Sequence, residues 1–199
     1  MVSMGLRTTI GVTVVSAAMM IAAIAGPLED ANNALNQKDY ATALRLYRPL
    51  AINGNPEAQV NLGFMYDEGL GLPKDWAEAI NWYRRAADQG EPQGQSNLAH
   101  MYRDGVGVAQ DYVRAHQWFD LAAARFTEQE KRKKAANDRD QVAAHMTEEQ
   151  IAEAQLLARH WKPTSEASAG GSGRSMPKTG GGKPETGGGW WEGIRRFFR

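Results

Sequence analysis

Two stretches of this chain spell nearly the same pattern 36 positions apart. Residues 54–90 read GNPEAQVNLGFMYDEGLGLPKDWAEAINWYRRAADQG, and residues 90–125 read GEPQGQSNLAHMYRDGVGVAQDYVRAHQWFDLAAAR. Pro56 meets Pro92, Gln59 meets Gln95, Asn61-Leu62 meets Asn97-Leu98, and Met65-Tyr66 meets Met101-Tyr102. Gly69 and Gly71 meet Gly105 and Gly107, Asp75 meets Asp111, and Trp82-Tyr83 meets Trp118-Phe119. Half of the pattern recurs upstream, where KDYATALRLYRPLAING (residues 38–54) brings Asp39, Ala43, Tyr47, Ala51 and Gly54 onto their counterparts. A period in the range of roughly 20–50 residues confines a chain to stacked-repeat architectures, because one unit cannot bury its own apolar face.

Each unit reads as a helix pair. Asn55-Pro56 opens helix A, since proline is tolerated in a first turn. Gly69 and Gly71 break that helix and permit positive φ in a tight connection. Asp75 is placed to cap helix B. Ala79, Trp82, Tyr83 and Ala86 then follow at i, i+3, i+4 and i+7, the spacing of one buried face, and Gly90 closes the helix. A lone Gly-x-Gly could begin a phosphate-binding loop. Here it occurs once per repeat and without a following Gly-Lys-Ser/Thr, so it is a repeated turn and not a nucleotide site.

The 36-residue period, the Gly-x-Gly insertion and the spelling NLGFMY…GLGLPKD…A…WYRRAA resemble the Sel1-like repeat family, a relative of the tetratricopeptide repeats. The resemblance covers roughly residues 38–125, as two full units and a half unit. Residues 29–37 form a shorter first helix without the glycine insertion, closer to a plain tetratricopeptide unit. The resemblance implies an all-α fold, a short right-handed superhelix (α-solenoid) of antiparallel helix pairs, in which helices A line a concave surface that binds proteins or peptides. By analogy with tetratricopeptide geometry, the groove positions would be Val60, Phe64, Asp67 and Glu68 in one unit and Ser96, His100, Arg103 and Asp104 in the next. Asn61 and Asn97 recur at one site and are expected to be structural, bonding to the neighbouring turn. The implied function is that of an exported interaction adaptor or regulator. Some cysteine-rich bacterial members are associated with β-lactam binding or hydrolysis, but this chain has no cysteine, so a hydrolase of that type is disfavoured.

Nothing else in the residues points to catalysis. The four histidines, His100, His116, His145 and His160, form no i, i+4 pair and no His-Glu-x-x-His motif. No serine sits in a Gly-x-Ser-x-Gly context. No cofactor or metal site is expected, and a formal net charge of zero gives no argument for a nucleic-acid partner.

The flanks differ from the repeats. Residues 1–25 carry one charged side chain, Arg7, and an apolar run, IGVTVVSAAMMIAAIA, over positions 10–25. The run ends in Ala23-Ile24-Ala25, which reads as a signal-peptide cleavage pattern and implies export to the periplasm or beyond. An uncleaved N-terminal membrane anchor is the alternative. The expected body comprises repeats over 27–125 (27–54 partial, 55–90, 91–125) and a C-terminal helical cap over 126–162. In that cap Thr147 and Gln150 have capping-box spacing, and Ile151, Ala154, Leu157, Ala158 and Trp161 share one face. Lys131 to Lys134, surrounded by acids, is expected to be a solvated face.

Residues 163–189 have the composition of a disordered Gly-rich linker, and 190–199, WWEGIRRFFR, form an aromatic and basic tail. On a helix Trp190, Trp191, Ile194, Phe197 and Phe198 fall on one side and Arg195, Arg196 and Arg199 on the other. This pattern suits an anionic membrane surface or a docking peptide. Residues 26–161 hold 15 basic and 20 acidic side chains, whereas 162–199 hold 7 and 3, so the tail is the cationic part. The cleavage reading is checked by intact-mass analysis of the protein recovered from its host. A mature chain starting at Gly26 is expected, and a chain that retains residues 1–25 would contradict it.

Overall fold

The computed structural model describes residues 26–164. The expected signal peptide, most of the linker, and the tail contacts Trp190, Trp191, Ile194, Arg195, Arg196, Phe197 and Phe198 lie outside the described residues. Within 26–164 there are eight helices and no strand: α1 (Pro27–Asn36), α2 (Tyr40–Ile52), α3 (Pro56–Glu68), α4 (Trp76–Asp88), α5 (Pro92–Asp104), α6 (Tyr112–Arg125), α7 (Gln129–Ala143) and α8 (Glu148–His160). Each of α1 to α6 packs on the next, giving an α-solenoid of helix pairs. No helix of the described residues is long and apolar enough to cross a membrane.

Local sequence chemistry sets the helix ends. The side chains of Asn55, Asp75 and Asp111 accept hydrogen bonds from the backbone N–H of Ala58, Glu78 and Arg114 at 2.8, 3.0 and 2.9 Å, which satisfies orphan first-turn donors. Gly69 and Gly105 end α3 and α5 in the left-handed conformation, at φ 71° and 68°. The connection is then tied back on itself, since Asp75 N–H donates to Tyr66 O and Asp111 N–H to Tyr102 O, both at 2.9 Å.

The second glycine of each loop has a different task. A Cβ at Gly71 would lie 2.8 Å from Tyr40 Cβ, and one at Gly107 would lie 2.6 Å from Trp76 Cβ. Tyr40 and Trp76 each begin helix B of the preceding unit. The loop of one unit therefore rests directly on the unit before it, at a distance only a hydrogen side chain allows. A second link between units is polar. Gln59 and Gln95 are wholly buried, and each donates its amide across the unit boundary to a carbonyl near the end of helix B, Ala51 O at 3.0 Å and Ala87 O at 3.2 Å.

The cores follow this order. Tyr47, Leu62 and Met65, with a floor of alanines, fill the space among α1, α2 and α3. Tyr83, Leu98, Phe119 and Trp118 fill that among α4, α5 and α6. In the C-terminal segment, where a helical cap is expected, α7 and α8 each pack chiefly on α6. Val142 of α7 and Ala158 of α8 enter the same core as Trp118 and Phe119. Trp161 meets Trp118 edge-on at 6.1 Å, with the Arg125 guanidinium 4.4 Å above its ring. The capping box of Thr147 and Gln150 is formed. Lys131, Lys133 and Lys134 pair with Glu128, Glu130 and Asp138 on the surface of α7.

Gly107→Ala combines a positive φ with a steric conflict against Trp76, so a loss of about 1–3 kcal/mol is expected. Gly26→Ala, with nothing within 4 Å of the new methyl, serves as the control. Urea unfolding midpoints read the difference, and equal midpoints for the two variants would contradict this account of the loop.

Candidate functional site

The first helices of the two full units lie against one another, α3 with α5, whereas α4 and α6 make no comparable contact. The row of helices A is therefore the closer-spaced, inner side of the stack. Two depressions lie along it. Towards the C-terminal ends of α3 and α5 is a pocket of about 270 Å³ lined by Phe64, Asp67, Tyr83, Asn97, His100, Met101, Asp104 and Val106. Towards their N-terminal ends is one of about 440 Å³, lined among others by Glu57, Val60, Asn61, Glu91, Arg125 and Phe126.

Of the groove residues expected from sequence, the structure brings Phe64, Asp67, His100 and Asp104 together in the first pocket. Arg103 sits beside it and forks onto Asp104, Nε to Oδ1 at 2.7 Å and Nη2 to Oδ2 at 2.8 Å. Glu68 is exposed at the end of α3. Val60 and Ser96 are placed differently. Val60 is buried and faces the other depression, and Ser96 is buried as well. The depression at the N-terminal half of the row is bordered by Phe126 and Thr127 of the α6–α7 connection, a segment that breaks the repeat and so gives no register to count from.

Tyr83 and Asn97 were readable as packing residues only, yet both line the pocket. Their arrangement is itself repeated. In the preceding unit, the buried Tyr47 hydroxyl donates to Asn32 Oδ1 at 2.6 Å and accepts from Asn61 Nδ2 at 3.1 Å. Asn32 Nδ2 in turn donates to Glu57 Oε1 at 2.9 Å. Asn61 donates to the Tyr47 hydroxyl of the adjoining helix B and to Asn32 Oδ1, whereas Asn97 accepts from Gln93 Nε2 of its own helix at 2.9 Å, so neither bonds to a turn. Burial, with Glu57 adding to it, pushes the Tyr47 phenol up to about 12. In the next unit the Tyr83 hydroxyl donates to Asp67 Oδ2 over a longer 3.5 Å. Burial, reinforced by the Asp67 charge, holds that phenol in its protonated form.

The charges around the pocket are unequal in their support. Burial first, and the neighbouring Glu68 second, push the Asp67 carboxyl above its ordinary range. The Arg103 hydrogen bond holds Asp104 below it. Burial and the nearby Arg103 depress His100, which favours the neutral ring at pH 7. That ring meets Phe119 edge-on at 4.9 Å, and its Nε2 lies 3.6 Å from Asp138 on α7. The result is an aromatic face, a neutral imidazole and two carboxylates around a small cavity, an arrangement suited to recognition. Among the described residues no cluster of three or more His, Asp or Glu side chains is arranged to hold a metal ion.

Residues 56–91 and 92–125 match the model of the Sel1 repeat. The chain is a Sel1-repeat protein. It is similar to a protective antigen of uropathogenic Escherichia coli that displays an SLR fold. The two are 30% identical over 79% of this chain and 35% of the antigen, with a TM-score of 0.64. This chain thus spans about a third of the antigen's length. A Sel1 repeat protein from Oxalobacter formigenes is 36% identical over 56% of this chain and 86% of that one, with a TM-score of 0.48. No curated protein matches. Sel1 repeats generally act as scaffolds for protein–protein interaction.

A carboxylate raised above its unfolded value contributes stability only while protonated. That contribution is present below the ordinary carboxylate range and is lost as pH rises through the raised value. Asp67→Asn is therefore expected to raise the melting temperature at pH 7, with the gain shrinking towards pH 3. A lower melting temperature at pH 7 would show that the charge of Asp67 serves the fold.

Proposed function

We propose that this chain is an exported interaction module that seats one partner segment along the α3–α5 face. The observation that carries the reading is the pocket at the C-terminal ends of these helices. There Phe64, 39% exposed on an inner face, stands beside carboxylates that the fold leaves accessible. Large apolar side chains that packing does not use are the usual anchors of protein interfaces. α3 and α5 each have 13 residues, a length of about 20 Å. A single extended peptide or one helix is the scale of occupant that fits such a row.

Export is supported by the apolar run over 10–25 and by Ala23-Ile24-Ala25, with the first helix of the fold starting at Pro27. The partner is accordingly sought in the envelope or outside the cell. A photo-reactive phenylalanine analogue at position 64 of the full chain, expressed in its host, is expected to crosslink a defined protein. The same analogue at Ala77, exposed on helix B, is expected not to do so. Identical capture from both positions would remove the inner row as the recognition surface.

A further inference from the structure

We propose that the pocket between α3 and α5 recognises an arginine side chain of the partner, with Asp67 as the ion-pair acceptor and Phe64 as the stacking face. The inference rests on the reading of the inner row as an interaction surface and names the chemistry of the occupant.

Three observations converge on it. The first is the state of Asp67. Other carboxylates around α5, α6 and α7 have a cation in direct contact: Asp104 has Arg103 at 2.7 Å, Asp138 has Lys134 at 2.8 Å and Asp120 has Arg139 at 2.9 Å. Asp67 has the Tyr83 hydroxyl at 3.5 Å, a contact at the outer limit of a hydrogen bond. Among the described residues its half-buried charge has no cation within ion-pair distance, since Lys74 acts on it only from further off, and a cation entering the pocket supplies one.

The second is the comparison with the preceding unit. There the tyrosine hydroxyl donates at 2.6 Å to the neutral amide of Asn32, which passes the hydrogen bond on to Glu57. That polar chain is closed within the protein. At Tyr83 the acceptor is a carboxylate, the bond is longer, and a cavity stands beside it. Tyr83 is itself only 1% exposed, and of the two carboxylate oxygens its hydroxyl engages Oδ2, while Asp67 lines the pocket.

The third is shape. About 270 Å³ falls below the ~300–1,000 Å³ of drug-sized ligand sites and suits one long side chain. A planar guanidinium stacks on an aromatic face and forks onto a carboxylate. An ammonium does the second less well and the first only as a point charge.

The test uses nuclear magnetic resonance on the full, isotope-labelled chain with two peptides, acetyl-Ala-Arg-Ala-amide and its isosteric, uncharged citrulline counterpart. The arginine peptide is expected to give saturable shifts at Phe64, Asp67 and His100 in the millimolar range. The citrulline peptide is expected to bind at least tenfold more weakly, and Asp67→Asn is expected to abolish the preference. Absence of shifts at the pocket, or equal binding of both peptides, would overturn the assignment. The two readings fail separately. If position 64 captures a partner and the arginine peptide leaves the pocket unmoved, the interaction surface stands and the arginine assignment falls. If the peptide binds and position 64 captures nothing, the reverse holds.

Discussion

A helix pair of this kind has one apolar face too many, and the stack exists because a glycine brings the next pair close enough to cover it. Gly71 against Tyr40 and Gly107 against Trp76 are the points where one unit's loop meets the previous unit's helix B. Any side chain there would hold the units apart, because the approach is already at the limit for two carbon atoms. The buried amides of Gln59 and Gln95 fix the same junction at its other end. Stability in such an array is close to a sum of units and of nearest-neighbour interfaces. The junctions therefore set how α3 lies beside α5, and that placement sets the pocket.

The C-terminal end shows what happens when no further loop arrives. The third aromatic in the series of Tyr40 and Trp76 is Tyr112, and it is stacked by His145 from the α7–α8 turn, at 5.4 Å and 20°. Phe119 stands where Tyr47 and Tyr83 stand in earlier units. It has no hydroxyl, and its neighbour is the ring of His100. The polar bridge of the repeat is thus replaced by apolar packing at the last junction. A second difference lies at Gln95: its Oε1 is buried without a hydrogen bond, whereas Gln59 Oε1 receives Gln89 Nε2 at 2.8 Å. Arg125, the residue in register with Gln89, is stacked on Trp161 instead.

Much of this was written in the sequence, because two copies of a pattern separate what recurs from what varies. Asp75 and Asp111 as caps, Gly69 and Gly105 as left-handed helix ends, and Ala79 with Tyr83 as a buried face all follow from local rules applied twice. Half of the groove assignment had the same footing, and Phe64, Asp67, His100 and Asp104 do meet in space. Val60 and Ser96 were counted along the same helical face but are covered. Val60 shares its depression with the α6–α7 connection, which has no counterpart in the repeat. The pocket role of Tyr83 was hidden for a related reason, since a buried aromatic at a core position gives no sign of where its hydroxyl points.

If the glycine-set junctions hold the stack, the proposed recognition falls to the C-terminal halves of α3 and α5. Hydrogen–deuterium exchange of the full chain, alone and bound to the partner captured through position 64, measures this most directly. Slowed exchange is expected in the last turns of α3 and α5 and in the loops that follow them, with α4 and α6 unchanged. Slowing confined to α4 and α6 would contradict it, because recognition would then lie on the second helices.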